Sequence, residues 1–162
     1  VNVLLLSEGS HFTYRVLKTA AAAGARVHVL AGPRARTLGW SRWTASLDRI
    51  ATPFARADEE AAVSQINRII ERRKVACVLG GDAPTTRFMI AVAPRLGAPI
   101  FPSPDLATFD LLNDKWRFTQ LASSLGLQVP PTRLFAHKDA LAAALKAGEL
   151  PCPGIVKPLG RS

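Results

Sequence analysis

The chain has 162 residues, of which 48% are hydrophobic and 20% charged, and 21 basic against 12 acidic side chains give a formal net charge of +9. That balance excludes a disordered tail, and no apolar run approaches the ~18 residues of a membrane span. Cys77 and Cys152 are too few for a disulfide framework, and the chain opens on a strand-like VNVLLLS with no cleavable signal, so a cytoplasmic protein without membrane association is expected.

Val1 to Ser7 is a continuous apolar run, as in a central parallel strand buried on both faces. After the turn Ser7-Glu8-Gly9-Ser10, a helical pattern runs to about Ala23 with Phe12, Val16, Leu17, Ala20 and Ala21 on one face and Gly24 as its stop. Arg26–Ala31 reads as a second strand, Leu47–Thr52 as a short third, and Asp58 as the N-cap of a helix carrying Val63, Ile66, Ile69 and Ile70. Lys74–Leu79 is a fourth strand with Gly80-Gly81-Asp82 as its exit turn. Pro84 suits the first turn of a helix to Leu96, and Pro99–Pro102 is a fifth strand. Strands alternating with helices over about 100 residues describe an α/β domain with a parallel, Rossmann-like sheet. Ligands of such sheets bind beyond the carboxyl ends of the strands. The candidates there are Ser7, Glu8, Gly9 and His11, the segment Gly32–Arg36, Gly81 and Asp82 within Gly80–Arg87, and Ser103. Asp82, flanked by glycines, is the leading small-molecule contact, with capping of the following helix as its alternative role.

The grammar changes past Pro104. Asp105–Leu112 is a short helix, and Asn113-Asp114 caps another with Phe118, Leu121, Ala122 and Leu125 on one face and Gly126 as its stop. Val129–Phe135 reads as a strand opened by two prolines, Asp139 caps an alanine-rich helix to Gly148, and Gly154–Pro158 reads as a last strand. The expected division is 1–104 and 105–162.

The basic residues are scattered, which weighs against nucleic acid as the partner. The densest stretch, residues 32–43, interleaves three arginines with Trp40 and Trp43. It suits either single-stranded nucleic acid or a surface loop whose tryptophans fold back onto the core. Nucleotide fingerprints are missing: SEGSHF lacks G-x-G-x-x-G, and there is no phosphate loop and no nucleophile elbow. His11, His28 and His137 have no metal-ligand spacing, so no metal ligand is assigned.

NDKWRFTQLASSLGLQVPPTRLF, followed after a helix by LPCPGIVKPLGRS, resembles the opening of the nucleotide-binding lobe of ATP-grasp ligases. The resemblance rests on Asp114-Lys115, Leu125-Gly126, Val129-Pro130-Pro131-Thr132 and Val156-Lys157-Pro158, with Gly160, Arg161 and Ser162 beginning a loop. The preceding α/β part is similar to the domain that precedes this lobe in biotin carboxylase-like and other carboxylate–amine ligases. The resemblance implies an α/β pre-ATP-grasp domain followed by an incomplete α+β subdomain. It implies that Lys115, Lys157, Gly160 and Ser162 approach the ATP phosphates, and that Ile155 and Val156 pack in the lobe's core. It further implies an ATP- and Mg²⁺-dependent ligase that activates a small carboxylate as an acyl phosphate. The catalytic and metal-binding residues would lie downstream of Ser162, leaving this chain inactive alone. A strand-like end at Lys157 fits a piece of a longer protein and leaves a homodimer open. The alternatives are a non-catalytic small-molecule or nucleotide-binding module and a basic nucleic-acid-binding domain using residues 32–43.

Overall fold

The computed structural model describes residues 1–102, 104–150 and 153–159. The chain divides into two compact units, Val1–Leu106 and Ala107–Ser162.

Unit 1 is a five-stranded sheet in the order β3-β2-β1-β4-β5, with every pair parallel. Its elements are β1 (Asn2–Gly9), α1 (Ser10–Ala22), β2 (Arg26–Arg34), β3 (Thr44–Arg49), α2 (Glu59–Arg73), β4 (Cys77–Gly80), α3 (Ala83–Val92) and β5 (Ile100–Phe101). The central place of β1 explains its unbroken apolar run, because successive side chains serve two cores. Leu4 and Leu6 join Leu30, Val78, Ile66, Ile69 and Met89 on the α2 and α3 face. Val3 and Leu5 join Val27, Val29 and Leu17 on the α1 face. The link from β2 to β3 has a 3₁₀ turn at Arg36–Trp40 instead of a helix, and its Leu38 packs on the α1-side core.

The expected elements of unit 1 form, with shifted ends. β3 lies over Thr44–Arg49 and not Leu47–Thr52. Lys74, read as strand, is the left-handed C-cap of α2 at φ 52°, and β4 begins three residues later. The stop at the end of α1 is Gly24, at φ +85°, a conformation that costs glycine little. Val16, Leu17, Ala20 and Ala21 pack on the core as expected, while Phe12 is 67% exposed and Thr13 takes its place in the buried stripe.

Unit 2 contains α4 (Leu106–Asn113), which begins at the last residue of unit 1, then α5 (Lys115–Ser124) and α6 (Lys138–Lys146). Asp114 caps α5, accepting from the Trp116 and Arg117 amides at 2.9 Å each. The N-cap of α6 is His137, with Asp139 inside the first turn, two residues from the expected cap position. No strand forms over 129–135 or 154–158 among the described residues. An extended segment registers as a strand only when a neighbour takes up its amides and carbonyls, and Pro130 and Pro131 offer no amide hydrogen at all. Ile155 and Val156 are 85% and 70% exposed, so they do not pack in a core as expected. Only Ala122 and Ala144 are buried among the described residues of this unit.

Candidate functional site

The sheet order reverses between β1 and β4. Leu6 pairs with Gly80 there, and β1 leads into α1 on one face while β4 leads into α3 on the other, the point at which open α/β sheets bind ligands beyond the carboxyl ends of their strands. The fold brings Ser7, Glu8, Gly9, Gly81 and Asp82 together at that point, and hydrogen bonds among them show what each does.

Asp82 binds in two directions. Its Oδ2 accepts from the amides of Glu8 at 2.8 Å and Gly9 at 2.9 Å, while its Oδ1 accepts from the Thr85 amide at 3.1 Å and hydroxyl at 2.8 Å. The Asp82 amide and Thr85 Oγ1 complete a capping box. The carboxylate thus caps α3 and clamps the β1–α1 turn to β4. Ser7 is fully buried, with Oγ 2.9 Å from Thr13 Oγ1 and 3.0 Å from the Gly9 carbonyl. Gly81 donates to the Leu6 carbonyl at 2.9 Å. A Cβ on it would lie 2.5 Å from Thr13 Cγ2, and one on Gly80 would lie 2.2 Å from Thr86 Oγ1. The two glycines let β4 turn directly against α1 and α3.

The carboxylate of Glu8 reaches across to the end of β2. Its Oε2 accepts from the Phe54 amide at 2.9 Å, and a Cβ on Gly32 would sit 3.0 Å from both of its oxygens. Gly9 differs from its neighbours, because nothing lies within 4 Å of where its Cβ would be. His11 is exposed on the first turn of α1 with its ring edge-on to Phe12.

In unit 2, Lys115 is exposed at the first position of α5, immediately after the capping Asp114. Lys157 is exposed in a segment without regular secondary structure. Gly160, Arg161 and Ser162, with Ser103, lie outside the described residues. Among the described residues no group of three His, Cys, Asp or Glu could hold a metal ion. No helix is long and apolar enough to cross a membrane among the described residues.

Sequence reasoning missed two contributions. Thr13 and Thr85, spaced as ordinary helix residues, hold the turns after β1 and β4 together. Tyr14, Arg15 and Lys18 of α1 line an open groove of about 820 Å³ together with Trp40, Arg42 and Trp43. The Arg/Trp stretch 32–43 marks one wall of it in the sequence, and the α1 wall shows only as part of a 39-residue stretch, 9–47, with no Asp or Glu.

The order 3-2-1-4-5, reversing between β1 and β4, with helices on both faces defines a doubly wound α/β domain, and solved structures place it further. The fold is shared with parts of solved biotin carboxylase domains and N5-carboxyaminoimidazole synthetases. The biotin carboxylase domain of a single-chain bacterial carboxylase superposes with a TM-score of 0.56 at 22% identity, covering 92% of this chain and 34% of that one. The N5-carboxyaminoimidazole synthetase of Staphylococcus aureus complexed with ADP gives 0.54 at 15% identity, covering 90% and 36%. The biotin carboxylase domain dimer of Hydrogenobacter thermophilus 2-oxoglutarate carboxylase, complexed with MgADP, ADP and bicarbonate, gives 0.55 at 15% identity, covering 93% and 33%. The chain therefore spans about a third of the length of the structures it matches. The sequence matches no protein-family model and no curated protein.

Proposed function

We propose that this chain is the N-terminal part of an ATP-dependent, cytoplasmic ligase that activates a small carboxylate for attack by an amine or similar nucleophile. The observation that carries this reading is the fold shared with ATP-grasp ligases over about nine-tenths of the chain. The order of Asp114-Lys115, Val129-Pro130, and Val156-Lys157-Pro158 supports it.

Bound Mg-ATP would supply the phosphoryl group. A carboxylate oxygen attacks the γ-phosphorus and ADP leaves. The nucleophile then attacks the acyl carbon, loses its proton, and phosphate departs with the former carboxylate oxygen. Lys115 and Lys157 are exposed cations free to meet phosphate oxygens, and they are the residues we assign to ATP, with Gly160 and Ser162 continuing that segment. In the first unit, covering residues 1–104 on this reading, Ser7 and Asp82 are committed to internal hydrogen bonds. That leaves the open backbone at Gly9, the second carboxylate oxygen of Glu8 and the His11 ring to face a substrate. Residues 105–162 would open the nucleotide lobe, and the acidic metal ligands would come from sequence outside this chain.

The test is ADP release from Mg-ATP with bicarbonate, acetate or glutamate as carboxylate. The 162-residue chain alone should stay at background; sustained turnover by it would contradict the partial-enzyme reading.

A further inference from the structure

The cations that the sequence scatters are partly gathered by the fold. Residues 9–47 carry six Lys and Arg and no acidic side chain, a charge asymmetry expected of a surface for polyanions. Within that stretch, α1 and the 3₁₀ turn at Arg36–Trp40 wall the 820 Å³ groove, and no acidic residue lines it. Among the described residues Arg15, Lys18 and Arg42 have no ion-pair partner.

Two tryptophans face different fates there. Trp43 packs on the α1-side core, with the Arg42 guanidinium 4.5 Å from its ring centroid. Trp40 is 88% exposed, so the expectation that the tryptophans fold back onto the core holds for one and fails for the other. A bare indole beside uncompensated cations costs apolar hydration in the free protein and offers a flat face to a partner.

Those features discriminate among occupants. A second copy of this chain also carries +9 and is repelled. An acidic peptide neutralises the cations, but the residues that carry its charge bring no ring to Trp40. A nucleic-acid strand brings both, phosphates for arginine and lysine and bases that stack on aromatic faces. We propose that this groove binds single-stranded nucleic acid, with a base on Trp40 and phosphates on Arg15, Lys18 and Arg42. The proposal goes beyond the ligase reading and does not use Lys115 or Lys157.

The experiment is fluorescence anisotropy of labelled dT₁₀ with the full 162-residue chain between 25 and 200 mM KCl. Three single-strand phosphate contacts predict a log–log salt slope of about −2, reduced by about 0.7 in Arg42→Ala. Trp40→Ala, a surface change whose fold is checked by circular dichroism, should weaken binding about 5- to 100-fold. The Lys115→Ala/Lys157→Ala double variant should bind dT₁₀ as the unmodified chain does, even where it loses ATP. Absence of saturable binding at 25 mM KCl would overturn the proposal. So would unchanged affinity in Trp40→Ala, or dependence on the two lysines instead. Displacement of dT₁₀ by polyglutamate at equal charge would also overturn it and assign the groove to an acidic polypeptide.

Discussion

Asp82 accepts four hydrogen bonds through two oxygens, and the four donors come from two parts of the fold. Hydrogen bonds to a charged acceptor contribute about 1.5–3 kcal/mol each when intact, and a lost cap costs about 1 kcal/mol. Asp82→Ala should therefore destabilise the chain by about 2–4 kcal/mol in urea unfolding. A change below about 0.5 kcal/mol would show that the carboxylate is dispensable to the fold and available to a ligand. The glycine-flanked turn and Pro84 made the cap visible in the sequence. The clamp on Glu8 and Gly9 was not visible, because it joins residues more than 70 apart in sequence and exists only once β1 and β4 pair. Gly80 and Gly81 carry the same lesson. They read as turn formers, yet each is needed because another segment stands where a Cβ would go.

Among the elements, the strands with buried partners on both sides were the most legible. The runs of β1 and β2 show in the sequence because two cores select apolar residues at most positions, with His28 a buried polar exception. The edge strand β3 was displaced by three residues, since TASLDR is half exposed and carries no such signal. Residues 129–135 and 154–158 have strand-like composition but no ladder, as composition cannot supply a neighbour. β3 is instead tied down by His28 of β2, whose Nδ1 lies 2.7 Å from Ser46 Oγ. Burial first, and then Arg73, Arg26 and Arg72, hold the His28 pKa below 6.5, with Asp48 opposing them. The folded chain thus takes up this proton less readily than the unfolded chain. Stability is level above pH 7 and falls as pH drops from about 6.5 through the lowered folded value. The urea midpoint should show this fall, and His28→Asn should remove the part of the slope between pH 6.5 and 5. An unchanged slope in the variant would show that His28 does not gate this edge.

For the whole molecule, the parallel α/β architecture was legible from periodicity and punctuation. The structure divides the chain at Leu106. The net charge was legible as a number but not as a surface, because Arg15 and Lys18 meet Trp40 only through the packing of α1 beside the 3₁₀ turn. The proposed ligase chemistry starts from a fold shared at 14–22% identity, and the defining event of that proposal is the passage of one oxygen from a carboxylate to phosphate. The most direct measurement uses the longer ligase proposed to contain this chain, Mg-ATP, and the carboxylate that supports ADP release, labelled with ¹⁸O. Mass spectrometry of the released phosphate should show one ¹⁸O per turnover, lost together with turnover in Lys157→Ala. Unlabelled phosphate during carboxylate-dependent ADP release would contradict an acyl phosphate and with it the proposed function.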